Sequence, residues 1–252
     1  MLLGEFRNMP PINMEALEDV LLHISEMVCE LPWLQELDLN PLIVDENGAI
    51  AADARIVIDH AATSGDRYSH MAIHPYPSHL VQEWEQPNGM VITIRPIRPE
   101  DAEMEQEFVK AMSDESRYYR FMDTLRELTQ SMLVRFTQID YDREMAFVAV
   151  GQDGAFSQQI LGVVRAIASP DQSDAEFAIL VRSDLKGLGL GKLMMEKIVR
   201  YARERGIGQL SGMTMPSNRG MIDLAKRLGF KIDIQLEDGI VNMELPCADQ
   251  VV

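Results

Sequence analysis

The sequence predicts an α/β protein in which a mixed, mostly antiparallel sheet with flanking helices follows a smaller α+β unit. The first observation is the pattern after Met90, where strand-like and helix-like segments alternate to the end of the chain. The second is a helix followed by a hairpin within the first 60 residues. The third is charge: residues 1–89 carry 15 acidic and 3 basic residues, whereas residues 90–252 carry 25 and 20. Two units of different composition are therefore expected.

Composition excludes several classes of protein. The chain has 46% hydrophobic and 25% charged residues, which is typical of a globular protein. Its net charge of -17 disfavours nucleic-acid binding, because that function needs a basic surface. No apolar stretch is long enough for a membrane span and no signal peptide is evident, so a cytoplasmic location is expected. Cys29 and Cys247 lack metal-ligand spacing and are interpreted as plain thiols, and no metal site is predicted.

The first unit is predicted to contain one helix and one hairpin. Residues 14–30 place apolar side chains at helical spacing. Residues 31–59 alternate like two strands joined at Asp45-Glu46-Asn47-Gly48, where Asn-Gly is a strong hairpin signal. Residues 60–89 contain three prolines and scattered histidines and are interpreted as a linker. The predicted boundaries are 1–60 for the first unit, 61–88 for the linker and 89–252 for the second unit.

The second unit is predicted to be a sheet covered by helices. Pro99 and the acids after it begin the first helix, because proline and negative charge favour a helix start. A second helix is predicted over about 113–138, and later helices end near 205 and span about 218–228. The predicted strands cover about 91–95, 144–150, 160–168, 174–182 and 209–215, with two more after Gly229.

A glycine-rich turn between a strand and a helix carries the main chemical signal. Gly187, Gly189 and Gly191 follow a strand and precede an amphipathic helix. Backbone without side chains can approach an anion closely, and the N-terminus of the helix adds partial positive charge. The pattern therefore predicts a site for a phosphorylated ligand, and an ordinary glycine turn is the alternative.

Two common phosphate loops do not match this turn. A nucleoside-triphosphate loop needs glycine where the chain has Lys186 and a hydroxyl where it has Leu193. A dinucleotide loop needs a last glycine that falls on Lys192 or Met194. Neither of these two loop classes therefore describes the turn.

The turn resembles the pyrophosphate loop of the GCN5-related N-acetyltransferase (GNAT) superfamily, Q/R-x-x-G-x-G/A. Lys186, Gly189 and Gly191 take the first, fourth and sixth positions, and the lysine keeps the positive charge but not the planar fork of arginine. The resemblance implies acetyl-CoA as cosubstrate and backbone contacts from Ile179 and Val181 to its pantetheine arm. It also implies that pyrophosphate is bound by Lys186, Gly187, Leu188, Gly189, Leu190, Gly191 and Lys192.

The resemblance covers nearly all of residues 90–246. Residues 95–102 look like the start of a GNAT domain, and residues 216–221 with Leu228-Gly229-Phe230 look like its second cofactor motif. Asn218 is either a plain helix N-cap or, as its counterpart in the family is, a residue beside the cofactor arm.

Acetyl transfer to a lysine needs a base. At pH 7 only about one lysine amine in two thousand is unprotonated, and residues 90–252 contain no histidine, so a carboxylate is expected. Glu176 is the candidate, because it lies in an apolar strand where partial burial would raise its pKa; the alternative is an outward-facing strand residue. The resemblance also assigns a glutamate here as general base. The N-H of Val181 or of a nearby strand residue is expected to stabilise the oxyanion. The family's tyrosine acid is matched by Ala225.

The first unit resembles the last strands of the ATP-grasp domain of ADP-forming acyl-CoA synthetases, through residues 36–42 and 52–55. In that family the counterparts of Asn40 and Asp53 help to hold magnesium, but the nucleotide-covering parts would lie upstream. A structural remnant is therefore favoured.

The order of ATP-grasp segment, linker and acetyltransferase resembles bacterial Pat-type protein lysine acetyltransferases. That resemblance implies a protein substrate with an exposed lysine, with acetyl-CoA synthetase as the named candidate, which acetylation would inactivate. Two alternatives stay open: acetylation of a small amine, and a noncatalytic acetyl-CoA-binding module.

Overall fold

The structure of the chain is a computed structural model. It describes residues 10–59, 68, 71, 73–86, 89–121, 126–152, 154–185, 187–235 and 237–247. It divides into two compact units, Met1–Pro75 and Tyr76–Val252. Of the helices in these described ranges, none has both the length and the apolar character that a bilayer crossing demands.

The first unit is a helix with two short antiparallel strand pairs. Asn13 caps the helix by accepting a hydrogen bond from the Ala16 N-H at 3.0 Å. The predicted turn is confirmed, since the Asp45 carboxylate accepts from the N-H groups of Asn47 and Gly48. The elements are α1 (Met14–Glu30), β1 (Leu34–Asp38), β2 (Leu42–Val44), β3 (Ala49–Ala51) and β4 (Arg55–Ile58).

The two long strands predicted in this unit are in fact four short ones. β2 pairs with β3 across the turn, and β1 pairs with β4 as a separate ladder. The break falls at Asn40–Pro41 on one side and at residues 52–54 on the other. Proline has no N-H to donate to a ladder, so Pro41 contributes only its carbonyl, which accepts from the Ala52 N-H at 3.0 Å.

The second unit is built on an eight-stranded sheet in the order β11-β12-β10-β9-β8-β7-β6-β5. Every neighbouring pair is antiparallel except β9 with β10, which is parallel. The predicted mixed, mostly antiparallel sheet is therefore confirmed. Its strands are β5 (Gln82–Glu85), β6 (Val91–Pro96), β7 (Glu144–Gly151), β8 (Ile160–Ala168), β9 (Asp174–Val181), β10 (Gln209–Thr214), β11 (Lys231–Gln235) and β12 (Ile240–Pro246).

Helices cover both faces of this sheet and create two apolar cores. One core includes Met194 and Ile198 of α5 with Ala225 of α6. The other includes Phe108 and Val109 of α2. The helices are α2 (Ala102–Ala111), α3 (Asp114–Phe121), α4 (Gln130–Thr137), α5 (Leu190–Glu204) and α6 (Arg219–Arg227).

The single helix predicted over 113–138 is wrong, because the chain forms α3 and α4 there. Residues 122–125 between them lie outside the described residues. Thr129 begins α4 afresh, since its hydroxyl accepts from the Met132 N-H at 3.3 Å.

The linker predicted over 61–88 is also wrong in its second half. β5 lies within that range and pairs with β6, and the second unit begins at Tyr76. Tyr76 donates a hydrogen bond to the Pro96 carbonyl at 3.1 Å and packs edge-on against Tyr141. These contacts and the partly buried Trp84 explain why a proline-rich stretch is ordered as part of the sheet. His60 and His70 lie outside the described residues.

Candidate active site

A cleft opens where β9 and β10 separate. Their parallel pairing covers Asp174–Glu176 and Gln209–Ser211 and then ends, although both strands continue. The buried Phe177 ring lies at this point: a Cβ added to Gly212 would be only 2.6 Å from its Cε1 atom. The ring therefore occupies the place where a side chain on β10 would otherwise stand, at the start of the separation.

The backbone of β9 presents unpaired groups to this cleft. The Arg182 N-H donates to the Leu161 carbonyl of β8 at 2.9 Å. Successive N-H groups of a strand point to opposite edges, so the Val181 N-H points away from β8 and toward the cleft. Ile179, two residues earlier, has the same orientation. The predicted pantetheine contacts from Ile179 and Val181 are therefore geometrically available, because backbone groups at this edge need a partner.

The glycine turn forms an open backbone surface after β9. Gly187 and Gly189 have φ of 83° and 92°, and a Cβ added at either would meet nothing within 4 Å. A side chain would be strained in this left-handed backbone and would fill the open space. Lys186 lies outside the described residues.

The N-terminus of α5 adjoins this surface. Gly189 is its N-cap and provides no side-chain hydrogen bond, so the first N-H groups of the helix are not capped. Leu190 is fully buried and anchors the turn, while Leu188 is exposed. Lys192 is exposed and forms an ion pair with Glu196 at 3.6 Å. Uncapped N-H groups beside left-handed glycines suit the pyrophosphate of acetyl-CoA.

Asn218 caps α6, and both polar atoms of its side chain form hydrogen bonds. Its Oδ1 atom accepts from the Met221 N-H at 3.3 Å, and its Nδ2 atom donates to the Thr214 hydroxyl at 2.9 Å. The N-cap interpretation is therefore confirmed, whereas a contact with the cofactor arm stays a prediction. Ala225 on the same helix is completely buried.

Glu176 is exposed, so the expected partial burial is wrong. It lies near the start of β9, where Asp174 and Glu176 face solvent on one side of the strand. Ala178 and Leu180 continue that side and are half-buried, and Leu180 packs against the core formed with α2 and α4. Glu176 is thus accessible to an incoming amine, but the desolvation expected at this position is absent in the free protein.

Sequence reasoning missed two charged side chains on this face of β9. Arg120 of α3 interacts electrostatically with Glu105, Glu176 and Glu144, and its guanidinium lies 5.2 Å from the centre of the Phe121 ring. Burial lowers the pKa of Arg120 below its ordinary value, although these carboxylates oppose the effect. The only local signal was an arginine among aromatic residues.

Glu105 of α2 is the second missed residue, and it is 5% exposed. Its Oε2 atom is buried without a hydrogen-bond partner among the described residues. Burial raises the pKa of Glu105 to about 7, while the positive charges of Arg165 and Arg120 act in the opposite direction. Glu105 and Arg120 line a cavity of about 20 Å³ together with Ala178 and other residues of β8, β9 and the helices.

Helix α3 spans the cleft between the ends of β9 and β10. The Ser116 and Ser113 hydroxyls lie 3.4 and 3.2 Å from the Ser183 hydroxyl, just after β9. The Tyr119 hydroxyl lies 3.1 Å from the Ser217 hydroxyl, just after β10. These contacts hold α3 against the ends of both strands, and its Arg120 interacts electrostatically with the exposed Glu176.

The first unit also matches known proteins. Residues 1–58 match the model of the ATP-grasp domain. The beta subunit of acetate--CoA ligase [ADP-forming] I from Pyrococcus furiosus is 40% identical over 57 residues, which are 23% of this chain and 25% of that subunit. The chain thus spans about a quarter of this relative.

The second unit matches acetyltransferases over most of its length. Residues 92–231, more than half of the chain, match the model of the acetyltransferase (GNAT) domain. Acetyltransferase PA5475 of Pseudomonas aeruginosa is 35% identical over 144 residues, covering 57% of this chain and 76% of that protein. The crystal structure of the GNAT domain of S. lividans PAT aligns with a TM-score of 0.61 and 29% identity, covering 68% of this chain and 99% of that one.

These matches fall on the separated strands, the glycine turn and α5 described above. Acetyltransferases of this family use acetyl-CoA as cosubstrate, and its binding by the glycine turn and by the β9 backbone stays a prediction. The chain belongs to the GNAT family and is an N-acetyltransferase.

Proposed function

We propose that the chain transfers the acetyl group of acetyl-CoA to a lysine side chain of a protein, and that an AMP-forming acyl-CoA synthetase such as acetyl-CoA synthetase is the substrate, which is inactivated. The observation that carries the proposal is the exposure of Glu176 beside the cleft between β9 and β10. Within the described ranges, the cavity on this face of β9 has a volume of about 20 Å³. Sites that enclose small ligands have several hundred Å³.

An acceptor that stays mostly outside the enzyme fits this geometry. A lysine on a protein surface presents its amine at the end of a long side chain and needs no enclosing pocket. The net charge of -17 also favours a cationic partner surface. The cavity beneath β9 is too small to enclose a polyamine or an antibiotic.

The residues on the cleft divide the chemistry between them. The Glu176 carboxylate accepts the proton that the acceptor ammonium must lose before its nitrogen can attack the thioester carbonyl. The Val181 N-H, which points into the cleft, is placed to donate to the carbonyl oxygen as negative charge develops there. Because Ala225 has no hydroxyl, α6 provides no proton donor at the position where relatives use tyrosine, and the thiolate leaves without this help.

The first unit is proposed to correspond to part of an ATP-grasp domain. The match to the ligase subunit covers only 57 residues. Asn40 and Asp53 are the positions implied to hold magnesium in complete domains, and here the Asp53 carboxylate accepts a hydrogen bond from the Ala54 N-H at 3.0 Å. We assign no catalytic step to them.

The test is acetylation of purified acetyl-CoA synthetase, with the modified residue identified by mass spectrometry. Wild type, Glu176→Gln and Asp174→Asn are compared, because Asp174 is the other exposed carboxylate on this side of β9. We expect Glu176→Gln to lose about a hundredfold or more in rate with unchanged acetyl-CoA affinity, and Asp174→Asn to keep its activity.

Other results would favour the alternatives. Acetylation of polyamines or aminoglycosides, with none of the protein, would identify a small-amine acetyltransferase. Binding of acetyl-CoA without transfer to any amine would identify a noncatalytic module.

A further inference from the structure

A second cavity, larger than the one beneath β9, lies at the β5 edge of the sheet. Its volume is about 380 Å³, which is within the range of sites that bind small molecules. Its walls come from the turn at Ser78–Leu80, from the start of β5, from β7 and from the second half of α5. All of these elements belong to the second unit, so a single unit forms the cavity.

One wall of this cavity is apolar. Phe147 is completely buried and Tyr201 is nearly so, and their rings meet edge-on with 6.0 Å between the centres. Leu80 and Val81 add aliphatic surface from the segment before β5. A ligand with an apolar body can therefore bury its surface against this wall.

Two cationic side chains reach the cavity from α5. Lys197 and Arg200 both line it, and residues three apart on a helix are neighbours on its surface. Among the residues that the structure describes, neither forms an ion pair. The cavity thus presents positive charge that no described carboxylate neutralises at contact distance.

Neutral groups hold the Lys197 ammonium at the cavity wall. Its Nζ atom donates to the Gln82 Oε1 atom at 3.3 Å and lies 4.8 Å from the centre of the Phe147 ring. These contacts orient the ammonium but leave its charge unbalanced. Burial lowers the pKa of Lys197 and the charge of Arg200 lowers it further, while Glu204 acts in the opposite direction. An anion beside the two cations would favour the charged lysine.

The charges that line the cavity define the class of ligand. Lys197 and Arg200 contribute two positive charges and Glu204 contributes one negative charge, so with His79 neutral one positive charge remains. A carboxylate balances that charge, whereas a phosphate monoester brings about 1.5 to 2 negative charges at neutral pH. The lining therefore favours a monocarboxylate with an apolar body.

We propose that this cavity binds a small organic carboxylate, whose anionic group lies beside Lys197 and Arg200 and whose apolar body packs against Phe147 and Tyr201. The site is separate from the predicted pyrophosphate surface at the start of α5. Lys197 and Arg200 follow Leu190 by seven and ten residues, which is about 10 to 15 Å along the helix axis. The proposal goes beyond the proposed function and does not depend on the acetyl acceptor.

The test is calorimetric titration of the full chain with four probes at about pH 8, where histidine is mostly neutral. Benzoate and hexanoate combine a carboxylate with an aromatic or an aliphatic body. Benzamide has the shape of benzoate without its charge, and phenyl phosphate keeps the ring but carries more negative charge. We expect benzoate or hexanoate to bind saturably with a Kd of about 1 mM or tighter, and benzamide to bind about tenfold more weakly than benzoate or worse.

Three results with the wild type would overturn the proposal. The first is the absence of saturable binding by both carboxylates. The second is equal binding of benzoate and benzamide, which would show that the cations do not recognise the ligand. The third is tighter binding of phenyl phosphate than of benzoate, which would contradict the assignment of a carboxylate.

Substitutions on α5 locate the bound carboxylate. Lys197→Gln and Arg200→Gln should each weaken carboxylate binding about tenfold. Arg203→Gln is the matched control, because Arg203 is exposed on the same helix and does not line the cavity. Arg200 is also exposed, so its replacement tests the site without disturbing the core. Unchanged carboxylate affinity in Arg200→Gln, or an equal loss in Arg203→Gln, would overturn the proposal.

A competition titration separates this site from the cofactor cleft. Carboxylate binding should persist at saturating acetyl-CoA, and its loss would place the probe on the cofactor surface and overturn the proposal. The readout is binding, so it is distinct from the test of the proposed function. Transfer to no protein would refute the lysine acetyltransferase alone and would not change the result expected here.

Discussion

Replacement of Glu105 by glutamine should stabilise the protein increasingly as the pH rises. The pKa of Glu105 is raised from 4.5 to about 7 in the folded protein. The unfolded chain therefore loses this proton first, and wild-type stability falls as the pH rises from about 4.5 to about 7. A pKa shift of this size lowers the free energy of unfolding of the wild type by about 3 kcal/mol in total. About 2 to 3 kcal/mol of that decrease occurs between pH 5 and pH 8.

Glutamine has no such titration, so the stability difference between Glu105→Gln and wild type should grow by that amount over this range. Thermal unfolding at several pH values measures it, and an increase of about 5 to 10 °C in the melting temperature difference is expected for a unit of this size. Glu103→Gln should show no comparable trend, because Glu103 is exposed. A constant difference between Glu105→Gln and wild type would show that Glu105 is ionised in the folded protein and would refute the desolvation argument.

Three further substitutions test the cleft and the loop. Gly212→Ala should destabilise the protein by about 1 to 3 kcal/mol because its Cβ would lie 2.6 Å from the Phe177 ring; denaturation measures this, and adding Phe177→Leu should restore stability. Gly189→Ala should weaken acetyl-CoA binding about tenfold or more, as measured by calorimetry, because alanine is strained at φ 92°. Gly206→Ala is the control: Gly206 has φ 73° beyond the end of α5, so this variant should lose stability without a change in acetyl-CoA affinity. Asn218→Ala should lose about 1 kcal/mol of stability from the cap, and unchanged acetyl-CoA affinity would show that Asn218 is only a cap.

The parts of the site that the sequence predicted are those encoded by neighbouring residues. The glycine turn needs left-handed backbone at Gly187 and Gly189, and glycine at those positions is visible in the sequence. The strand before the turn and the helix after it are each predicted by the spacing of their own apolar residues. For the same reason the helix cap at Asn218 was foreseen as one of two interpretations.

The parts that the sequence did not predict depend on packing between distant segments. Glu105 and Arg120 come from different helices and line one cavity only because α2 packs on β8 and α3 packs on the neighbouring β9. The exposure of Glu176 depends on where that helical layer ends, which no local pattern encodes.

Two predictions were wrong because local sequence patterns pointed to a different structure. Prolines and histidines obscured β5, in which the alternation places polar Gln82 and the aromatic Trp84 on the inner side. The single helix predicted over 113–138 missed the new start at Thr129, where a hydroxyl caps α4.

The most direct test of the central claim is transfer of labelled acetyl from acetyl-CoA to purified AMP-forming acetyl-CoA synthetase. We predict label on a lysine of the synthetase, loss of synthetase activity, and neither effect with Glu176→Gln at unchanged acetyl-CoA affinity. Saturable binding of acetyl-CoA by the wild type, with no label on any lysine of the synthetase, would contradict the claim.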